Sequence, residues 1–256
     1  MGVVNGSVEW AVKTGVKYFA RLWRNNGYLG VPLASPPKHA DPIVLVNGFS
    51  VYNEVLDGAV RSFRRDGFQV FTPTLPNNAM GSIADTAQYL ATYVDHVRAA
   101  TGAKHVDLVG FSEGGLILRE YIKHHGGLPY VDQAVSVATP NQGVLFSSLG
   151  HVVDGIDLLK NAIPQGARDM VKGSAFLTKL NAGDPTPGNV RWYSIYPKSF
   201  DGIVWPADSP VLQGATNIEL TREHWLPGLQ GPHHLGLQRS NEGYERLRAV
   251  LLQSRS

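Results

Sequence analysis

The residues best placed to do chemistry are Gly110-Phe111-Ser112-Glu113-Gly114, a serine flanked by glycines two positions away on each side. A β-branched-rich run, Val106-Asp-Leu-Val-Gly110, precedes it, and the helix-compatible Leu116–Lys123 follows almost at once. A serine on so sharp a strand-to-helix turn takes strained backbone angles, so its neighbours must lack side chains that would collide. The turn lifts the hydroxyl above a sheet edge and sets it at a helix N-terminus. Free N–H groups there favour developing negative charge. The expected chemistry is nucleophilic attack on a carbonyl.

A serine hydroxyl is a weak nucleophile at neutral pH and needs a base; histidine, with an ordinary pKa of roughly 6.5, suits the task. A carboxylate must hold that imidazole in the right tautomer. On an elbow of this kind the acid and then the base follow the serine along the chain. Of the nine histidines, His151 falls in a helical insert, His224 follows a strand too closely, and His124 and His125 sit on the elbow helix. His233 and His234, in a loop before the last helix, remain. For the acid, Asp201 lies just past a strand, Asp208 is the runner-up in the same loop, and Asp184 precedes the strand. The loop Asn47-Gly48-Phe49 follows an earlier strand and offers the N–H of Phe49 to an oxyanion, with the N–H of Glu113 as second donor.

These side chains need elements to carry them. The fully apolar run Pro42–Val46 and the segments Phe68–Thr72, Val131–Ala138, Val190–Tyr196 and Thr216–Leu220 read as strands beside the elbow strand. Amphipathic segments Asn53–Arg65, Ile83–Ala100 and Glu242–Leu252 read as helices. Strands alternating with helices give an α/β fold, a mainly parallel sheet with helices on both faces. Between Gln142 and Asp184 two helical segments, about Phe146–Ala162 and Ala167–Leu180, occur without a strand. They fit either a small cap over the strand C-termini, with Val152, Val153, Ile156, Leu158 and Leu159 lining a substrate cleft, or a plain packing insert. Residues 1–40 form a helix (Val8–Arg24) and a Pro-rich connector; residues 41–256 form one domain with the cap at about 142–184. Lys13, Lys17 and Arg21 recur every four residues on that first helix, beside Trp10, Phe19 and Trp23. It suits transient contact with a membrane surface or packing on its own domain.

With 256 residues and 43% apolar content the chain can bury a core. Its net charge of +2, without a basic block, argues against nucleic acid as a partner. The absence of cysteine excludes disulfides, a thiol nucleophile and Cys-ligated metal. No window reaches the roughly 18 apolar residues of a membrane span. The N-terminus lacks the pattern of a signal peptide, so a cytoplasmic location is expected, with a mature secreted form as the alternative.

The chain resembles the bacterial class 2 lipases of the α/β-hydrolase superfamily. The resemblance rests on Val-Asp-Leu-Val-Gly-Phe-Ser-Glu-Gly-Gly ending at Gly115, Arg119-Glu-Tyr-Ile-Lys123, Gly126-Gly127, Ala138-Thr-Pro-Asn-Gln-Gly143 and the run Ser174–Gly188. Asp201-Gly-Ile-Val-Trp-Pro206 and His234-Leu-Gly236 are similar to the family's acid and base signatures. The resemblance implies an α/β-hydrolase fold, a Ser112–Asp201–His234 triad, an oxyanion hole at Phe49 and Glu113, and no metal or cofactor. It implies a serine hydrolase of small-molecule or lipid esters with apolar acyl chains. An acyltransferase or lactone-forming enzyme using the same acyl-enzyme is the alternative, and a non-catalytic binding module a further one. The chain departs from the family at Asn47, where His is usual, and at Phe111, where the elbow usually has His; both are expected at the substrate and expected to shift preference.

Overall fold

The computed structural model describes residues 39, 41–145, 163–197, 204, 206–220 and 241–253, with backbone alone for Glu54 and residues 241–243. Six strands form one parallel sheet: β1 Ile43–Val46, β2 Val70–Phe71, β3 Val106–Phe111, β4 Val131–Val137, β5 Arg191–Pro197 and β6 Thr216–Leu220. Their order is β2-β1-β3-β4-β5-β6. Every residue of β1 and β3 is buried, as expected of strands covered on both faces.

The described helices are α1 Asp57–Asp66, α2 Ile83–Thr101, α3 Glu113–His124, α4 Gln165–Asp169, α5 Ala175–Asn181 and α6 Asn241–Leu251. Helices α2 and α3 cover one face of the sheet, where Leu90, Val94, Leu116 and Ile117 meet Val44, Val46 and Leu108. On the other face Phe63 of α1 and Leu247, Val250 and Leu251 of α6 meet Ile43, Leu45, Val109 and Val135. The two helices of that second face are tied together at Asp66, which accepts hydrogen bonds from Tyr244 Oη (2.6 Å) and Arg248 Nε (2.7 Å). No helix among the described residues is long and apolar enough to cross a membrane.

Three expectations change. The strand expected at Phe68–Thr72 shrinks to Val70–Phe71, because Phe68 N–H turns back to Phe63 O (3.0 Å) to close α1. The helix expected at Asn53–Arg65 begins as a 3-10 turn, Asn53–Leu56, before α1. The helix expected at Ala167–Leu180 is two short ones. Val171 leaves α4 to bridge Val144, and Ser174 starts α5 afresh by accepting from Leu177 N–H (3.1 Å). The expected helices Val8–Arg24 and Phe146–Ala162 lie outside the described residues.

The strand order positions the chemistry. The chain runs from β1 outward to β2, then crosses back to place β3 on β1's other side. A crevice opens at the C-terminal ends of strands where the direction of winding reverses. Here those ends are Val46, followed by Asn47-Gly48-Phe49, and Phe111, followed by Ser112.

Candidate active site

Ser112 occupies the turn between β3 and α3 with φ 54° and ψ −126°, a conformation an L-residue holds only when its surroundings enforce it. Its N–H is fixed to Val137 O at the end of β4 (2.8 Å). The flanking glycines are required by backbone contact. A Cβ on Gly110 would lie 2.5 Å from the Gly114 carbonyl, and one on Gly114 would lie 2.3 Å from Val46 O and 2.7 Å from Asn47 O. Helix α3 therefore leans directly on the end of β1. Ser112 is partly exposed, whereas Glu113 to Ile122 are buried without a break. The hydroxyl stands at the one accessible point of an otherwise enclosed helix start.

The β1 loop reaches the same point. A Cβ on Gly48 would fall 2.9 Å from Ser112 Cβ and 3.1 Å from Glu113 N. The two N–H groups expected to receive an oxyanion, those of Phe49 and Glu113, thus flank the serine, and among the described residues neither donates a hydrogen bond elsewhere. The loop is anchored on its outer side. Ser50, at φ 58°, donates its N–H to Asn78 O (2.8 Å), and Val51 N–H returns to Gly48 O (3.3 Å). Asn47 Nδ2 donates to Asn53 Oδ1 (2.9 Å), and Asn53 Nδ2 donates to Pro73 O (3.1 Å).

That geometry reassigns two residues expected to meet substrate. Asn47 is 1% exposed, and its amide holds the loop through Asn53. Phe111 is 2% exposed and packs with Val109, Val137 and Ile195 in the core cluster facing α1 and α6, because alternation along β3 turns it away from the α3 side.

Three charged residues of α3, Glu113, Arg119 and Glu120, are buried, which their types alone would not suggest. The Glu113 side chain is fully enclosed, and burial, reinforced by the nearby Asp169 carboxylate, pushes its carboxyl well above the usual range. Arg119 is also enclosed; burial pulls its guanidinium down to about 10. It donates to Asn141 Oδ1 (3.2 Å), in the loop after β4, and to Asn181 Oδ1 (2.7 Å), at the end of α5. Asn141 Nδ2 donates onward to Pro210 O (2.7 Å), Ser194 Oγ of β5 donates to the same carbonyl (2.7 Å), and Ser209 Oγ donates to Gly143 O (2.6 Å). The sequence carried one signal for this: Arg119, Asn141 and Asn181 all fall in the segments that resemble the family.

The expected acid and base, Asp201 and His234, lie outside the described residues, as do Val152, Val153 and Ile156. The strands before them end at the serine's edge of the sheet, β5 at Pro197 and β6 at Leu220. Asp208, the alternative acid, is exposed in the turn whose Val211 N–H bonds its carbonyl (3.0 Å). Asp184 lies before β5, at the opposite edge, where Oδ1 accepts from Thr186 N–H (2.9 Å). Also at that opposite edge, carboxylate oxygens of Asp41, Asp107 and Asp132 lie within 4.8 Å of one another, with Asp132 paired to Arg191 (2.6 Å). They take no part in the Ser112 site.

A strained serine between parallel strands and a helix N-terminus, faced by a second loop whose Phe49 N–H donates to no other group among the described residues, has counterparts among known proteins. In mature Bacillus licheniformis lipase BlEst2 the fold superposes with a TM-score of 0.69 at 17% identity, covering 87% of this chain and 96% of that one. Aspergillus fumigatus lipase B gives 0.59 at 20% identity, over 74% of this chain and 47% of that one. An alpha/beta hydrolase from a lagoon-sediment metagenome, MGS-MChE2, gives 0.54 at 21%, over 84% and 90%. At these identities the likeness speaks for the α/β-hydrolase fold alone. In sequence, a triacylglycerol lipase of Vibrio cholerae serotype O1 is 28% identical over 185 residues, 61% of this chain. The chain spans about half (54%) of that relative's length. The profile of the family described as Lipase (class 2) matches residues 40–220, from just before β1 to the end of β6. On that match, with the elbow and its facing loop in place, the chain belongs to the class 2 lipase family.

Proposed function

We propose that this protein hydrolyses carboxylic esters with apolar acyl chains through an acyl-enzyme on Ser112. The observation that carries this reading is the strained, partly exposed serine beside the N–H groups of Phe49 and Glu113, neither of which donates elsewhere among the described residues. Membership of the lipase family supports the substrate class.

Ser112 Oγ attacks the ester carbonyl while His234 takes its proton. The carbonyl oxygen becomes an oxyanion and settles between the two N–H donors, which strengthen their bonds as charge develops. Asp201 orients His234 and stabilises its charged form. The tetrahedral intermediate collapses, His234 returns the proton to the leaving alcohol, and the acyl group stays on Ser112. Water, deprotonated by the same histidine, then releases the acid. The apolar wall for the acyl chain is assigned to Val152, Val153 and Ile156, in the segment that follows β4 in sequence.

The test is turnover of p-nitrophenyl esters of increasing chain length by wild type, S112A, D201N and H234A. Loss of a triad member costs on the order of 10⁴-fold or more in kcat. Ser112 is expected to be the residue labelled by a fluorophosphonate. Equal rates for wild type and S112A would sink the proposal.

A further inference from the structure

Glu113 has a second feature besides its N–H. Its carboxyl is fully buried, and among the described residues neither oxygen receives a hydrogen bond. The surroundings explain why. A Cβ on Gly166 would fall 2.5 Å from Glu113 Oε1, 2.7 Å from Ala79 O and 2.9 Å from Gly81 O. The three oxygens gather around one point, and two of them are main-chain carbonyls that can only accept. The segment Ala79–Ile83 brings no titratable group, and the β1 loop Asn47–Phe49 brings none either. From α4, Asp169 is the charged group among the described residues whose field reaches Glu113; its neighbour Arg168 is exposed. Asp169 is already committed as an acceptor, with Oδ2 taking Ile83 N–H (3.0 Å) and Oδ1 taking Gln165 Nε2 (2.7 Å). On α3 itself, Arg119 is turned to Asn141 and Asn181, and Glu120 to His124 (2.8 Å). A carboxylate facing acceptors and an anion has nothing to bond. A carboxylic acid there has a proton to give.

We infer that Glu113 is a positioning residue whose carboxyl proton, donated to the carbonyl group of Ala79 or Gly81, clamps the segment before α2, on which Gly166 of α4 rests, against the nucleophile elbow and so fixes where its own N–H points. The inference rests on the ester-hydrolase reading above. Side chain and oxyanion donor share one Cα, so whatever seats the carboxyl also aims the N–H. Loss of the proton places a second negative charge beside Asp169, with no donor to Glu113 among the described residues. Helix α4 is driven off, the first turn of α3 shifts, and the transition state loses a donor while ground-state binding is spared. The sign of the linkage follows. The folded protein holds this proton more tightly than the unfolded chain, so the contribution to stability is full below the ordinary carboxyl value of 4.5 and declines as pH rises above it.

The experiment is the blank-subtracted pH profile of kcat and KM from neutral to strongly alkaline conditions, each variant normalised to its own maximum. Wild type is expected to lose kcat reversibly on the alkaline side with KM flat. E113Q, which keeps an N–H to donate but cannot ionise, is expected to lack that decline, leaving relative alkaline activity about tenfold or more above wild type, the change one pKa unit produces. D169N removes the neighbouring anion and is expected to move the decline to lower pH. The Tm of E113Q is expected to gain on wild type as pH rises. Infrared difference spectra supply a readout independent of activity: a protonated-carboxyl C=O band in wild type at neutral pH that E113Q lacks. Should E113Q fail to fold, titration of that band in wild type and D169N decides the matter. An alkaline decline shared by wild type and E113Q, or a wild type without the band, would overturn this inference alone. A wild type inactive at every pH and unlabelled by fluorophosphonate would overturn the ester-hydrolase reading and this inference with it.

Discussion

The two ends of the elbow's surroundings are built by opposite means. In front, where α3 begins, main chain rests on main chain: Gly110 against the Gly114 carbonyl, and Gly114 against Val46 O and Asn47 O. Behind, a turn and a half along the same helix, Arg119 holds the loop after β4 and the end of α5 through side-chain amides. Close contact between backbones fixes position to tenths of an ångström and tolerates no added atom. A buried polar network fixes position by bonds that can be removed singly, each at a cost of its own. Ser112, which the proposed reaction needs in one position, is set by the first kind. The loops around it are set by the second.

The contrast can be broken most severely at Gly114. In G114A the new methyl meets two carbonyls that cannot rotate away, so β1 and α3 must part and carry the oxyanion donors with them. The expected loss is on the order of 10²–10³ in kcat, together with about 3 kcal/mol of stability; kcat per fluorophosphonate-titrated site and a urea midpoint measure both. A near-normal G114A would mean the front is not set by contact. R119M tests the rear. It leaves Asn141 Oδ1 and Asn181 Oδ1 without their buried donor, at an expected cost of about 2–4 kcal/mol. The urea midpoint is expected to fall while kcat per titrated serine stays close to wild type. A smaller effect is expected at Asn53, which ties the β1 loop through Asn47 and Pro73. N53A removes a bond worth about 1 kcal/mol. If that bond serves the oxyanion loop, kcat falls about tenfold with KM unchanged.

The sequence made the front legible and left the rear hidden, for a physical reason. Glycines on either side of Ser112 report a local requirement, since a tight strand-to-helix turn is written in consecutive residues. Strand β1 was equally plain, because a strand buried on both faces reads as an unbroken apolar run. The burial of Glu113 and Arg119 was not visible. Their types suggest solvent, and the groups that enclose them, Gly166, Asp169 and Asn181, arrive from fifty or more residues away. The break between α4 and α5 was missed because Ala167, Met170, Leu177 and Leu180 are all buried and mimic one continuous stripe. Ser174, a good helix-starting residue, was the signal to heed. Phe111 was expected at the substrate as a departure from the family's elbow. Alternation along β3 sends it to the opposite face.

The tie of α6 to α1 at Asp66 has a consequence for how the molecule is made. One face of the sheet is closed by two helices that lie 178 residues apart at the Tyr244–Asp66 bond. During synthesis, Phe63, Ile43, Leu45 and Val135 are in place long before Leu247, Val250 and Leu251 leave the ribosome. Through that interval the nascent chain carries a greasy flank that α6 does not yet cover, the condition under which chains stick to one another. A holdase chaperone that shields the flank until the last helix docks is expected to raise the soluble yield, more so when Tyr244 and Arg248 are removed and docking is slowed.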